Sequence, residues 1–378
     1  MTNDGLYYEA ASIVDSVRNG KGRIKTLCYG SRYRNKKALF ALIRPGLAIV
    51  LAHDLVNDRV PECSAKLWEP ISRHKTRIKA EYVLSKLRSP QENVPRPMRY
   101  VRINTLALST AECIQKFKDE GYEYLDGCLP ESGRCFSLDE HIGGLLVFPP
   151  GTDLTKNEMY CKGQIVLQDK ASCIPVAVLQ PPAGASVLDA CAAPGNKTTQ
   201  LAAAVGSSGS VCAFERDPKR FKILAETIRK HECTHVTIAN MDFLKTNPAD
   251  YPQIEYGLVD PSCSGSGMLE DFENTDTYDS DRLQSLSNFQ CMILRHAMQF
   301  PNMKRVVYST CSVHKEENEE VVRQVLEAEP AFQLVPYPLP LWPRRGFPEY
   351  SFGNDVIRAD PKADRMNGFF VACFEKIE

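Results

Sequence analysis

Five short apolar runs, set apart by longer and mostly helix-like stretches, constrain this chain more than any other feature: ASVLDA (185–190), SVCAFE (210–215), THVTIA (234–239), EYGLVD (255–260) and KRVVYS (304–309). Each is too short for a helix, and several run apolar rather than alternating, the pattern of strands covered on both faces. Such strands in alternation with helices predict a doubly wound parallel α/β sheet from residue 186 onward. Ligands of these sheets sit in the crevice beyond the carboxyl ends of the strands. The residues at those ends therefore matter most.

Two ends each deliver a cysteine: Cys263 in DPSCSGSG (260–267) and Cys311 in YSTCS (308–312). A free cysteine is ordinarily a small buried hydrophobe. Cys263, however, follows an Asp-Pro step and precedes small residues and two glycines, a composition for backbone that must come close to a ligand. Cys311 stands between Thr310 and Ser312, at the end of a strand rather than inside one. Two thiols are expected in one pocket. The 14 cysteines include no CxxC pair and show no regular spacing, so reduced thiols are expected, with neither a disulfide scaffold nor a structural metal.

The strand ends also carry acids. ASVLDA runs into a tight turn that opens a helix, Cys191, Ala192, Ala193, Pro194, Gly195, Asn196 and Lys197, where backbone N–H groups and the helix dipole would face a nucleotide-type ligand. Glu215, 20 residues beyond Gly195, is spaced to accept both hydroxyls of a ribose. Asp242 follows the third strand, where an adenine edge would lie, and Asp260 closes the fourth. Each acid taken singly is an ordinary turn or cap residue. Together with Asp189 they stand at successive strand ends and point to a binding site. The turn lacks GxGxxG, so a ligand without a diphosphate fits better, such as an adenosine bearing a cationic sulfonium and an amino acid tail.

Residues 1–94 read as a helical domain, with apolar residues at three- and four-residue intervals in KKALFALIRP and TRIKAEYVLSKL. The net charge of −1 hides a division: residues 1–100 hold 19 Lys+Arg against 9 Asp+Glu, and the remainder 27 against 38. The stretch 21–37 has seven basic residues with Tyr29 and Tyr33 interleaved, which suits single-stranded RNA and equally suits a solvated helix face. Residues 95–155, with the strand YVRINTL (100–106) and the helix STAECIQKFKDEGY, are expected to form a small α+β module, and 156–378 the main domain. The acidic segment 269–281 is expected as a loop near the mouth of the site or as a plain surface excursion. No apolar stretch reaches the length of a membrane span and MTNDGLYYEA lacks the marks of a signal peptide, so the chain is expected inside the cell.

In order, VRINTL, GQIVLQDKAS (163–172), VLDACAAPGNKT (187–198), LVDPSCSGSGM (258–268), VVYSTCSVHKEENE (306–319) and GFFVACFEK (368–376) resemble the motifs of the Sun-domain (RsmB-like) RNA cytosine-5 methyltransferases. The chain is most similar to the eukaryotic branch acting on large-subunit ribosomal RNA, although position 262 is Ser where the commoner family form reads DPPCSG. The resemblance implies a Rossmann-like methyltransferase sheet, a small RNA-recognition module, S-adenosylmethionine as cofactor, RNA as partner, and action in the nucleus or nucleolus. It implies Cys311 as the nucleophile that adds to carbon 6 of cytosine and Cys263 as the residue that resolves the covalent adduct. Asp260 would hydrogen-bond the cytosine, the cofactor amine or both, and Lys197 would polarise the base or contact the cofactor tail. The backbone of 191–197 would cradle the cofactor, with Glu215 on the ribose, Asp242 near the adenine, and Arg220 where the family has an arginine. The target cytosine must leave its stack to reach such a pocket.

Other readings compete with this one. The same chemistry on transfer or messenger RNA uses identical residues. A non-catalytic RNA-binding assembly factor would be expected to lose a nucleophile or a cofactor acid, and a nicotinamide-dependent oxidoreductase to carry GxGxxG; the sequence does neither.

Overall fold

In the computed structural model, which describes residues 96–268 and 280–377 together with Ile13, Ser31, Lys75, Thr76 and Lys79, a small sheet leans on a large one. The chain divides into two compact units, Met1–Val94 and Pro95–Glu378, and the thiols and acids named above all lie in the second. Apart from those five single residues, the expected helical N-terminal domain with its basic stretch lies outside the described residues. So does the acidic segment, apart from Ser280 and Asp281, which begin a helix.

The small sheet is built on β1 (Arg99–Ile103), whose two faces serve different cores. Val101 and Ile103 face the module's own core, with Phe117, Phe136 and Phe148. Tyr100 joins the core of the main domain, and Arg102 and Asn104 are buried along the same seam. Helix α1 (Thr110–Asp119) starts at Ser109: the Ser109 hydroxyl accepts from the Glu112 N–H while the Glu112 carboxylate accepts from the Ser109 N–H. This reciprocal cap satisfies two orphan donors of the first turn. After β2 (Glu123–Tyr124), β3 (Cys135–Leu138), β4 (Leu145–Phe148) and the short helix α2 (Glu158–Cys161), the chain returns as β5 (Ile165–Leu167). The sheet order is β2-β3-β4-β1-β5, and β5 pairs antiparallel with β1, Val101 opposite Leu167 and Ile103 opposite Ile165. The small sheet thus runs past the boundary expected at 155, because β1 would otherwise expose an unpaired edge that the 165–167 segment covers.

The main domain follows α3 (Lys170–Leu179) with β6 (Ser186–Asp189), α4 (Asn196–Val205), β7 (Ser210–Phe214), α5 (Pro218–Lys230), β8 (Val236–Ala239), β9 (Tyr256–Val259), α6 (Ser280–Met298), β10 (Arg305–Thr310), α7 (Glu319–Ala328), β11 (Phe332–Leu334), β12 (Val356–Ala359) and β13 (Phe369–Lys376). All five expected runs are strands, and they form the parallel part of the sheet, β10-β9-β6-β7-β8. The rest departs from a purely parallel sheet: β13 lies antiparallel beside β10 and carries β11 and β12. Alternate strand residues enter opposite cores. Val187, Val211, Leu258 and Val307 pack under α3 and α4, whereas Leu188, Phe214, Val259 and Tyr308 pack under α6 and α7. The chain runs outward from β6 to β8 and then crosses back to β9 on the other side of β6. A crevice opens where order reverses in this way.

Packing at the seam between the two sheets is tight. Asn104 Nδ2 donates to the Gly163 carbonyl at 3.0 Å and to the His231 carbonyl, just past α5, at 3.2 Å. Gly163 has φ +70°, and a Cβ there would lie 2.2 Å from the Lys230 carbonyl oxygen. Gly163→Ala is therefore expected to cost about 3 kcal/mol or more. Urea unfolding checks this: an unchanged midpoint would show that the seam gives way freely.

Candidate active site

The crevice at the ends of β6, β7, β9 and β10 is a cavity of about 520 Å³. This is within the range of about 300–1,000 Å³ usual for small-molecule sites. At one end stand the two thiols, Cys263 Sγ and Cys311 Sγ, 3.1 Å apart. Their loops are fastened to one another: the Gly267 N–H donates to the Cys311 carbonyl at 2.9 Å, and the Gly368 N–H to the Gly267 carbonyl at 2.7 Å. A Cβ on Gly267 would lie 2.4 Å from the Gly368 carbonyl oxygen, so only glycine allows this approach. Behind the thiols the hydroxyls of Ser264, Ser266 and Ser312 lie within 3.1 to 3.2 Å of one another.

Asp260 holds the centre. Its Oδ2 accepts from Lys197 Nζ at 2.7 Å and its Oδ1 from Ser309 Oγ at 2.8 Å. Burial would lower the pKa of Lys197, but the Asp260 carboxylate and its hydrogen bond, with Asp189 behind, outweigh it and hold the ammonium above its ordinary value. The thiol pair divides its proton unequally. Cys263 donates to Cys311, and with Lys197 nearby this holds the Cys311 thiol below the ordinary cysteine value despite burial and the Asp260 charge. Cys263 is pushed well above it, by that hydrogen bond to Cys311, by burial and by the Cys311 and Glu317 charges. When one thiol of the pair ionises, the charge therefore falls on Cys311. Cys263→Ala removes the donor and is expected to raise the pH at which Cys311 becomes reactive. Alkylation of Cys311 by iodoacetamide across a pH series, read by peptide mass, would contradict this assignment if both proteins gave one midpoint.

At the other end of the cavity, Cys191, Ala193, Pro194, Asn196 and Lys197 line the wall together with Glu215, Arg220 and Asp242. Ala192 and Gly195 stand behind that wall. The Ala192 N–H donates to the Phe214 carbonyl, and Gly195 at φ +108° packs against Thr227 and Leu224 of α5, where a Cβ would come within 3.0 Å. Glu215 is buried, its Oε1 accepting from the Asp217 N–H at 2.8 Å, while Arg220 Nη1 lies 3.6 Å from its Oε2. Arg220 Nη2 donates to the Ala193 carbonyl at 2.5 Å, so this side chain ties the first turn to the second. Asp242 accepts from the Leu244 N–H at 3.2 Å and caps a short turn of helix that sets Phe243 in the wall.

Asp189 does not join the ring of acids expected around a cation. It is 1% exposed and lies outside the cavity lining. Burial raises its pKa from 3.8 to about 7. Thr198 Oγ lies 2.8 Å from Asp189 Oδ2 and 3.3 Å from the Ala192 carbonyl oxygen. A hydroxyl has one proton, so a protonated Asp189 donating to Thr198 leaves Thr198 free to donate to Ala192. The folded chain then binds more protons than the unfolded chain between pH 3.8 and about 7, and stability falls as pH rises through that window. Asp189→Asn is expected to flatten this slope in chemical denaturation at pH 5 to 7.5; an unaltered slope would mean that Asp189 is already ionised in the fold.

Sequence reasoning passed over several residues of the site. Asp169 and Gln168 line the cavity from the small-sheet side, and Asn367 and Phe369 from the start of β13, with Lys197 Nζ 5.5 Å from the Phe369 ring centroid. Asp169 reads as the cap of α3, which it is, accepting from the Ala171 N–H at 2.9 Å. Glu317, 0% exposed, accepts from the Ser264 N–H at 2.9 Å and from Gln290 Nε2 at 3.0 Å, fixing the backbone next to Cys263. Its place in the acidic run KEENEE gave no sign of burial. Among the described residues no group of three or more His, Cys, Asp or Glu side chains is disposed to hold a metal, and no helix is long and apolar enough to cross a membrane.

Comparison with known proteins agrees with this architecture. Residues 176–375 match the family model 16S rRNA methyltransferase RsmB/F, and 97–168 match the NOL1/NOP2/Sun domain family member 5, ferredoxin-like domain. The chain is 37% identical over 426 residues to a Mus musculus 28S rRNA (cytosine-C(5))-methyltransferase, across 99% of this chain and 91% of that protein. Against the Schizosaccharomyces pombe 25S rRNA (cytosine-C(5))-methyltransferase rcm1 it is 36% identical, across 97% and 90% of the two chains. The crystal structure of PH0851 shares the fold, with a TM-score of 0.65 at 24% identity over 82% of this chain and 72% of that one. So does NSun6 from Pyrococcus horikoshii with SFG, at a TM-score of 0.57 and 18% identity over 81% and 97%.

Proposed function

We propose, because the chain belongs to the 16S rRNA methyltransferase RsmB/F family, that it methylates carbon 5 of a cytosine in large-subunit ribosomal RNA, using S-adenosylmethionine. The observation that carries the reading is the pair of thiols 3.1 Å apart beside the Lys197–Asp260 ion pair. The relatives named for 25S and 28S ribosomal RNA, matched over nearly the whole chain, support the choice of RNA. A nucleolar site of action is part of the same reading.

The residues present fit the cofactor. Glu215 would hold the ribose, Asp242 the adenine edge, and the small residues Cys191 and Ala193 leave room beside them. Bound there, S-adenosylmethionine supplies an electrophilic methyl group. Carbon 5 of cytosine is too weak a nucleophile to accept it unaided. The Cys311 thiolate adds to carbon 6, and the ring's electron density moves toward carbon 5. Lys197 would stabilise the negative charge that develops on the ring, and the Asp260 carboxylate would accept a hydrogen bond from the cytosine amino group. After methylation the proton on carbon 5 must leave so that the carbon–sulfur bond can break and return the thiolate. Cys263 is suited to take it. While Cys311 is an anion, the hydrogen bond to it, burial and its charge keep the Cys263 proton in place. Once the Cys311 sulfur is a thioether, the bond and the charge are gone, so partly exposed Cys263 loses its proton to solvent more readily and its thiolate can then accept the carbon-5 proton.

The test uses methyl-labelled S-adenosylmethionine and large-subunit ribosomal RNA. Wild type is expected to label cytosine, Cys311→Ala to lose at least a thousandfold in rate while retaining cofactor binding, and Cys263→Ala to accumulate protein covalently linked to RNA. Undiminished activity in Cys311→Ala would sink the mechanism. Label confined to transfer or messenger RNA would move the substrate and keep the chemistry.

A further inference from the structure

Beside the catalytic cavity lies a second cleft of about 280 Å³, with Leu167 and Asn196 lining both. One wall comes from the small module, with Tyr160, and the other from α5, with Glu226 and Lys230. Loose packing does not explain it. The Asn104 side chain bonds both walls, through the Gly163 and His231 carbonyls, and Gly163 touches the backbone of Lys230. The two modules are locked together and the cleft remains.

Its chemistry is that of an anion-binding groove. Lys230 Nζ sits 3.7 Å from the centroid of the Tyr160 ring. Among the described residues no carboxylate lies within ion-pair distance of it, although Glu226 is one helical turn away. A cation resting on an aromatic face, partly desolvated and without a carboxylate, is half of a phosphate contact. The Asn196 side-chain amide has no hydrogen-bond partner among the described residues, and it stands where the two cavities meet. Exposed Glu226 repels an anion from the solvent side and so favours the Tyr160 side of the cleft.

We infer that this cleft is a subsite for the nucleotide next to the target cytosine, Lys230 taking its phosphate and Asn196 its ribose or base edge. The inference rests on the RNA methyltransferase reading, because a cytosine unstacked into the catalytic cavity must carry its neighbour along the adjoining surface. The small module then acts in register as well as in affinity: Tyr160 and Leu167 set which backbone unit lies beside the thiols.

The experiment compares wild type with Lys230→Ala, Lys230→Arg and Lys376→Ala, the last an exposed lysine at the far end of β13. Binding of a large-subunit ribosomal RNA fragment is measured across a salt series, and methyl transfer in parallel. Lys230→Ala is expected to weaken RNA binding several-fold, to reduce the slope of log affinity against log salt by about one, and to raise KM for RNA with kcat within twofold. Lys230→Arg should keep the slope, and Lys376→Ala should match wild type. If Lys230→Ala changes slope and KM no more than Lys376→Ala does, the subsite is overturned. If wild type transfers no methyl group to any RNA, the proposed function fails instead, and the binding slopes still decide whether the cleft holds a phosphate.

Discussion

The ion pair between Lys197 and Asp260 holds together what the three neighbouring strands bring to their ends. Lys197 lies in the first turn of α4 after β6, Asp260 follows β9, and Ser309, which donates to the other carboxylate oxygen, is in β10. Three segments widely separated in sequence thus converge on one carboxylate. A half-buried pair of this kind contributes little net stability once desolvation is counted. Its value is positional and electrostatic. It aims a cation at the sulfur of Cys311 and keeps Asp260 from acting as an isolated negative charge beside a thiolate, which would push the proton back onto the sulfur. Without Lys197 the same pocket would hold two thiols and an acid that oppose one another's ionisation.

How much of this was legible in the sequence follows from which interactions are local. Four of the five parallel strands were readable because burial on both faces leaves a short apolar run; β8, an edge strand with no buried residue, was readable from its place in the alternation of strands and helices. The acids and cysteines at their ends were readable because topology forces those ends to one side of the sheet. Asp189 was misjudged for a related reason. Strand-end position does not say whether a side chain points into the crevice or back under the turn, and a Thr198 nine residues later decides it by offering a buried hydroxyl. Asp169, Asn367, Phe369 and Glu317 were invisible because each looks like an ordinary cap, turn, strand or surface residue. Asn367 and Phe369 reach the site through the antiparallel return of β13, Asp169 through the docking of the small sheet, and Glu317 through the turn between β10 and α7, none of which leaves a periodic trace. The N-terminal charge excess remains a sequence observation alone.

The seam between the small and large sheets uses polar groups where an apolar contact would be simpler. Arg102 is 4% exposed, and burial lowers its pKa to about 10. It donates to Gln168 at 2.8 Å, to Thr199 at 2.7 Å and to the Asn196 carbonyl at 3.3 Å, yet no carboxylate among the described residues pairs with it. A buried guanidinium whose Nε and Nη2 meet only neutral acceptors, and whose Nη1 has no partner among the described residues, is costly by several kcal/mol relative to a paired one. What it gains is direction. A hydrophobic pair tolerates sliding, whereas forked N–H donors meet Asn196 and Thr199 in one register only.

That register matters because Asn196 and Thr199 flank the lysine that faces the thiols. The small module is fixed by Arg102 to the first turn of α4, and the same turn presents Lys197 to Asp260. A displacement of the module would therefore move the ammonium as well as the surface along which a polynucleotide would run. Substrate alignment and thiolate stabilisation share one helical turn, so the polar seam and the electrostatics of the sulfur pair are two consequences of a single constraint: α4 can be placed in only one way.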